Sequence, residues 1–140
     1  MPNGGDDLLQ QAAAAPVGRL ATVDATGRPH AVPCCFAVEG DVVYSAVDEK
    51  PKRTKRLRRL ENIRANPAVC LVVDHYEDDW SALWWVRLEG QARLVEGGPE
   101  WERAVSLLVA KYPQYQAAPP TGTVIAVEIE RRLAWSPADR

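Results

Sequence analysis

The chain has 140 residues and a formal charge of −2, with 46% apolar and 26% charged residues. This length predicts a single domain over residues 1–140, with a core large enough to need no disulfide or metal. The charge balance excludes a generally basic protein, and the apolar runs are too short to span a bilayer.

The N-terminal segment lacks the basic start and apolar centre of a secretory signal, which predicts a cytoplasmic protein.

The first half of the chain predicts one short helix and three strands. The predicted helix and strands are, in order, Leu8–Ala15, Val17–Asp24, Pro29–Val38 and Asp41–Val47. Pro16 ends the helix, and Glu39-Gly40 is a hairpin signal between the last two strands. Pro33 cannot donate a ladder hydrogen bond, and it therefore predicts an edge strand or a bulge.

Positive charge is concentrated in residues 50–64, KPKRTKRLRRLENIR, which we call the basic segment. It holds eight of the seventeen Lys and Arg residues and one acid, so its formal charge is +7 in a chain of −2. It predicts a helix, with Leu57, Leu60 and Ile63 on one apolar stripe and Pro51 suited to the first helical position. Cations crowd the first turn, where the helix dipole disfavours them unless an anion binds there. The basic segment is therefore predicted to bind a phosphate, although a merely solvated basic face is the ordinary alternative.

The second half of the chain predicts two long strands, a helix and two closing strands. Strands are predicted over Ala68–Tyr76 and Leu83–Val95, with an acidic loop between them. An amphipathic helix follows over Pro99–Tyr112, then a Pro-rich loop over Pro113–Thr121 and strands over Val124–Ile129 and Leu133–Trp135. Six or seven antiparallel strands with short helices predict a mainly β fold, a closed or partly closed barrel with helical caps.

The cysteines and histidines indicate no metal site. Cys34, Cys35 and Cys70 form no CxxC pair, and His30 and His75 have no partners at ligand spacing. The cysteines are interpreted as buried or half-buried thiols in a reducing compartment.

Two adjacent tryptophans, Trp84 and Trp85, lie on the long predicted strand. Neighbouring strand residues point to opposite faces of a sheet, so both side chains cannot face one core. One of them needs a ligand or a partner surface, and a dimer interface explains it as well as cofactor stacking does. Arg87, two residues further on, is alternatively an ion-pair partner for Glu89 or Glu128.

An ordered set of motifs runs through the chain: GRLATV and GRPHAVP, a hairpin into YSAVD, the helix KRTKRLRRLENIRANP, and WVRLEGQA. The set resembles the split β-barrel flavin and deazaflavin oxidoreductases, the superfamily of the pyridoxamine 5′-phosphate oxidases, which are FMN-binding split barrels. It is most similar to the actinobacterial branch that uses coenzyme F420, a deazaflavin with a phosphate and an oligoglutamate tail. The resemblance covers residues 17–96 well and the remainder loosely.

The resemblance implies which residues contact a cofactor. The family's phosphate clamp falls on the start of the basic segment, its ring contacts on the two strands before it, and its partner-chain contacts on the long strand after it. The phosphate clamp corresponds to Lys52, Arg53, Thr54 and Lys55. The ring contacts correspond to Tyr44, Ser45, Ala46 and Val47 and to Val32, Pro33 and Cys34. The partner-chain contacts correspond to Trp85 and Arg87, with Trp84 beside them. The family is homodimeric, with its cofactor in a groove between protomers, so a homodimer is expected here.

The expected activity is hydride transfer from reduced coenzyme F420 to a small unsaturated or quinone-like organic acceptor. No catalytic residue is named, because the cofactor ring performs this chemistry and the sequence shows no catalytic triad or carboxylate pair. Surplus positive charge in the basic segment favours the tail-bearing cofactor over FMN.

Two alternatives remain open for the function. One is an FMN-dependent enzyme of the pyridoxamine-phosphate-oxidase type, although the C-terminus RRLAWSPADR lacks the Arg-containing signature of those oxidases. The other is a non-catalytic module that binds a cofactor or a nucleic acid. Nucleic acid is disfavoured because no aromatic residue interleaves with the cations of the basic segment.

Overall fold

Seven strands and four α-helices make up the part of the chain that the structure describes. The computed structural model describes residues 4–47 and 53–137, except for the side chains of residues 4–6 and 53–57. The elements are, in chain order, α1 (Gly4–Ala14), β1 (Gly18–Val23), β2 (Pro29–Cys34), β3 (Ala37–Glu39), β4 (Val42–Ala46), α2 (Arg53–Ala65), β5 (Ala68–His75), a 3-10 turn (Trp80–Ala82), β6 (Trp84–Val95), α3 (Pro99–Lys111), α4 (Pro113–Ala117) and β7 (Val124–Trp135).

The strands form one curled antiparallel sheet in the order β2-β1-β5-β6-β7-β4-β3. Short hairpins join β1 to β2 and β3 to β4, and positive-φ glycines, Gly27 and Gly40, lie in their turns. The predicted fold class, a mainly β split barrel with helical caps, is confirmed.

The inner face of the sheet carries the largest core cluster. Phe36, Leu71, Val73, Val86 and Ile125 are almost completely buried in it. Helices α1 and α2 close this core, α1 through Leu8 and Ala12 and α2 through Leu60 and Ile63. The two α2 residues belong to the apolar stripe predicted from the sequence, and the side chain of its third member, Leu57, lies outside the described residues.

The outer face of the sheet is covered at one end only. Helix α3 packs there on β4 and β7, with Ala104 among Tyr44, Val124 and Ala126. The rest of the outer face, on β1, β5 and the first half of β6, contributes no residue to the three core clusters found among the described residues. A large part of the sheet therefore lacks an intramolecular cover.

Two predictions about the C-terminal half are wrong. The segment predicted as the loop Pro113–Thr121 begins with the short helix α4, in which Pro113 occupies the first turn as prolines commonly do. The two predicted closing strands are one strand, β7, which pairs with β6 along its whole length. Three consecutive charged residues, Glu130, Arg131 and Arg132, suggested a break, but exposed strand positions accept charge.

A bulge accommodates the continuous strand β7. The register of β6 and β7 shifts between Glu89 and Gly90. A Cβ atom on Gly90 would lie 2.0 Å from the Glu128 carbonyl oxygen, so this close approach requires glycine.

Pro33 lies on the edge strand β2, as predicted. The prediction of a single strand over Pro29–Val38 is wrong, because β2 ends at Cys34 and β3 begins at Ala37, at the opposite edge of the sheet. No described helix is both long enough and apolar enough to span a membrane.

Candidate functional site

The described part of the basic segment lies in helix α2 (Arg53–Ala65), which packs on β1 and β6 and lies next to β2 at its Arg58–Arg59 end. One buried hydrogen bond fixes this docking: the Asn62 side-chain amide donates to the Thr22 hydroxyl over 3.1 Å. Asn62 and Thr22 are only 4% and 2% exposed, so the pair satisfies two polar groups that would otherwise be costly to bury. The bond sets the rotation of α2, and it thereby turns Arg58 and Arg59 towards β2.

A small cavity of about 50 Å³ lies between α2 and strands β1 and β2. Its lining is apolar at its base and positive at its rim, and consists of Leu20, Thr22, His30, Val32, Arg58, Arg59 and Asn62. We call it the α2 pocket. Its volume suits one small charged group or a few water molecules, and not a flavin ring.

Two buried polar atoms in the α2 pocket have no hydrogen-bond partner among the residues that the structure describes. They are Nε of Arg59 and Nε2 of His30. The nearest carboxylate oxygen recorded for His30 is Oδ2 of Asp24 at 3.6 Å, beyond normal hydrogen-bond length. Asp24 is held by Thr26 and the Arg28 backbone, which lower its pKa to about 2. An anion accepting from Nε of Arg59 would satisfy that donor, whereas Nε2 of His30 already has the Asp24 carboxylate as its neighbour.

The cysteine and serine predicted to contact a cofactor ring lie beside Arg59. Burial raises the pKa of the Cys34 thiol, and a hydrogen bond with Ser45 and the positive charge of Arg59 oppose part of that rise. The Ser45 hydroxyl donates to the Cys35 carbonyl over 2.8 Å, which ties β4 to the end of β2. Val32 lines the α2 pocket itself. Val32, Cys34 and Ser45 therefore gather with Arg59 on the inner side of the sheet.

The remaining predicted contacts on β4 divide between the two faces. Val47 is 5% exposed and belongs to the inner core. Tyr44 and Ala46 face α3 instead. The Tyr44 hydroxyl donates to Oε2 of Glu100 over 2.8 Å, and burial together with Glu100 raises the pKa of Tyr44 to about 12. Pro33 faces outward on β2, where it pairs with Arg19.

The tryptophan pair separates as the strand geometry requires. Trp84 packs against the inner core and stacks on His75, with ring centroids 6.5 Å apart. Trp85 lies on the uncovered outer face, where the Arg87 guanidinium is 5.4 Å from its ring centroid. Nε of Arg87 donates to Glu89 over 2.8 Å, which is the ion pair offered as an alternative role. Trp85 and Arg87 are thus on the opposite face of the sheet from the α2 pocket.

The predicted phosphate clamp borders the α2 pocket along the chain. Lys52 lies outside the described residues, and so do the side chains of Arg53, Thr54 and Lys55, although α2 begins at Arg53. Helix α2 has no acidic residue in its first turn. The clamp therefore remains a prediction, one helical turn before Arg58 and Arg59.

Sequence reasoning missed three residues that line the α2 pocket, Thr22, His30 and Asn62, and interpreted Arg59 as a solvated cation or a contact of an oligoglutamate tail. Arg59 and Asn62 are three residues apart and therefore share a helix face, and Asn62 adjoins the apolar stripe. This pattern of a polar residue beside buried Leu60 and Ile63 was the available signal. Nothing in the sequence paired α2 with His30 or Thr22, because the contact joins residues far apart in the chain.

The pyridoxamine 5′-phosphate oxidase family matches the chain over residues 6–136. The match covers most of the chain, so this protein belongs to that family. A comparison with curated proteins found no match.

Solved structures share the fold at low sequence identity. A conserved hypothetical protein from Mycobacterium tuberculosis superposes with a TM-score of 0.75 and 19% identity, covering 97% of this chain and 86% of that one. An FAD-binding protein from Mesorhizobium loti gives 0.71 and 20%, covering 94% of both chains. The heme storage protein HutZ from Vibrio cholerae gives 0.71 and 17%, covering 94% of this chain and 92% of that one. The fold therefore accommodates more than one kind of cofactor binder.

Proposed function

We propose that this protein is an oxidoreductase that binds coenzyme F420 and uses its reduced form to transfer a hydride to a small unsaturated or quinone-like organic acceptor. Family membership supports a flavin-type cofactor, and the choice of the deazaflavin comes from charge. The main observation in support is Nε of Arg59, which has no hydrogen-bond partner among the described residues. It is a buried N–H donor on a positively charged side chain, and an anionic or other acceptor group is needed to satisfy it.

The residues present fit an elongated anionic cofactor. Arg59 offers a donor inside the α2 pocket, and Arg58, which also lines the pocket, is exposed. Lys52, Arg53, Thr54 and Lys55 precede them in the sequence. A single phosphate needs only part of this positive charge. The surplus therefore favours a cofactor that carries a phosphate and further carboxylates. FMN, which carries one phosphate and no such tail, remains the alternative.

The chain's own residues have positioning roles in this reaction. When bound, the cofactor supplies the hydride from its ring. Val32 and Cys34 form an apolar wall next to the anion-binding groups, and Ser45 is a hydroxyl beside it. These side chains would hold the ring edge and keep water from it, while the cations fix the tail. Tyr44 is a poor proton donor, since its hydroxyl is already committed to Glu100.

We also propose that the protein is a homodimer formed through the uncovered outer face. Val72, Cys70 and Trp85 are half-buried there without belonging to a core cluster, and Trp135 on the neighbouring strand is 36% exposed. These apolar side chains alternate with ion pairs such as Arg19–Asp74 and Arg87–Glu89, and a mixed surface of this kind suits a protein interface. A second copy would cover this face and would bring Trp85 and Arg87 to the groove between protomers.

A cofactor titration tests the assignment. We expect F420 to bind with micromolar affinity or tighter in a fluorescence titration, and FMN to bind much more weakly. Hemin is included because HutZ stores heme, and it should not bind at all.

Reversing the charges of Lys52, Arg53 and Lys55 together should abolish F420 binding and leave thermal stability equal or higher. The matched control is charge reversal at Arg64, which is exposed and lies 3.9 Å from Glu96. Stoichiometric FMN or heme with no F420 binding would overturn the assignment.

Sedimentation tests the dimer separately. Val72→Glu places a charge in the middle of the outer face and should convert the dimer to a monomer. Thr26→Glu, in the exposed turn after β1, is the control and should leave the dimer intact. A wild-type monomer at micromolar concentration would refute the outer-face interface without touching the cofactor proposal.

A further inference from the structure

A second cavity lies inside the opposite end of the barrel, under helix α1. Its volume is about 200 Å³, four times that of the α2 pocket, and the two cavities share no lining residue. The lining residues include Leu9, Ala12 and Ala13 of α1 and Phe36, Val73 and Leu88 of the sheet. We call it the α1 cavity.

The sequence explains why side chains do not fill the α1 cavity. Helix α1 presents alanines, Ala12 and Ala13, where larger residues would reach the sheet, and Gly40 adds no side chain on the opposite wall. Lys111 holds the helix in place, because its ammonium donates to the carbonyl oxygens of Ala13 and Phe36, each over 2.8 Å. The helix end is thus anchored to the β2–β3 connection, and the cavity is preformed.

Among the described residues, Arg132 is the one charged side chain that lines this otherwise apolar cavity. The hydrogen bond recorded for its guanidinium runs from Nη2 to Oδ1 of Asp41. The Asp41 side chain is 79% exposed and that of Arg132 is 36% exposed, so water competes with this ion pair. A guanidinium has five N–H donors in a fork that matches a carboxylate, and Arg132 therefore has donors available at the cavity mouth.

We propose that the α1 cavity binds a small apolar monocarboxylate, with its ring or branched chain inside and its carboxylate on Arg132. A dry cavity of about 150 Å³ accepts benzene, so this cavity accepts a ring with a short acid arm, about ten non-hydrogen atoms in all. The apolar walls select against polar ligands, and the single cation selects the anionic member of an isosteric set. The ligand could be a substrate or an effector; binding itself is independent of the cofactor.

Calorimetry and NMR with phenylacetate test the proposal on the full chain. Phenylacetate should bind at submillimolar concentration, while its isostere phenylacetamide and the cation phenethylamine should bind at least tenfold more weakly. Methyl signals of Leu9, Val38 and Leu88 should shift on binding, and those of Val124, which is buried under α3, should not. Equal binding of the three probes, or shifts confined to other methyl groups, would overturn the proposal.

Four variants locate the site. Arg132→Gln should weaken phenylacetate binding at least tenfold, and Asp41→Asn should strengthen it severalfold by freeing the guanidinium. Ala12→Leu should fill the cavity and abolish binding at an equal or higher melting temperature, which shows that the variant is folded. Ala14→Leu, an exposed position on the same helix, should bind as the wild type does. Unchanged affinity in Ala12→Leu, or no phenylacetate binding by the wild type at millimolar concentration, would refute the site.

Discussion

Replacing Arg59 with methionine should have opposite effects on the empty protein and on cofactor binding. Methionine keeps most of the aliphatic stem of arginine and removes the charge and the orphaned Nε donor. The unliganded protein should therefore become more stable, whereas the affinity for F420 should fall. A residue with a purely structural role would lose stability on the same substitution.

The structure allows both magnitudes to be worked out. A buried donor without a partner costs about 1–3 kcal/mol, and since Arg59 is only half-buried we take the lower end, a gain of about 1 kcal/mol. For a chain of this size that gain raises the melting temperature by about 3 °C. A hydrogen bond to a charged group contributes about 1.5–3 kcal/mol, so the dissociation constant should rise about 10- to 150-fold.

Urea denaturation without cofactor and fluorescence titration with F420 measure the two effects. Arg64→Met is the matched control, because Arg64 is on the same helix, is exposed and does not line the α2 pocket. It should change stability by less than about 0.5 kcal/mol and affinity by less than about threefold. The reasoning is wrong if Arg59→Met is clearly less stable than Arg64→Met, or if its affinity equals that of the control.

Two further predictions concern stability. Gly90→Ala should lower the unfolding free energy by about 3 kcal/mol, because its Cβ would lie 2.0 Å from the Glu128 carbonyl oxygen. A Cβ on Gly97 has nothing within 4 Å, so Gly97→Ala should leave the unfolding free energy nearly unchanged. Chemical denaturation measures both variants. Burial lowers the pKa of Lys111 to about 8, below its value of about 10.4 in the unfolded chain. Between about pH 8 and 10.4 the unfolded chain therefore binds more protons than the folded protein, and the free energy of unfolding should rise with pH across this range. Lys111→Met should flatten that rise in denaturation curves between pH 8 and 10, and an unchanged slope would mean that another group titrates.

Local sequence patterns predicted most elements of the fold. Alternation and turn residues located β1, β4, β5 and β6, whereas β2 and β3 were predicted as one strand and β7 as two. A bulge opposite Gly90 lies where β7 continues through its charged residues. The short helix α4 was missed because Pro113 was interpreted as a loop residue, although proline is also compatible with a first helical turn. The 3-10 turn at Trp80–Ala82 was missed too; it is capped by Asp79, which accepts from the Ser81 backbone over 3.0 Å.

The candidate site was predicted in part. Charge density singled out the basic segment, and the family resemblance pointed to Val32, Cys34 and Ser45, which lie together beside Arg59. The division of β4 into an inner face and an α3 face could not be assigned from the sequence, because its residues Val42–Ala46 are nearly all apolar and show no polar alternation.

The amino-acid sequence by itself determined most of the strands and helices and the concentration of cations in one helix, because these properties depend on neighbours within a few residues. Only the tertiary structure decided which cation loses its solvent. The Asn62–Thr22 hydrogen bond joins residues 40 positions apart, and in the docked helix Arg59 is half-buried, with its Nε fully buried, while Arg58 stays exposed. Burial of a charge depends on such long-range packing, and the chemistry of the site follows from it.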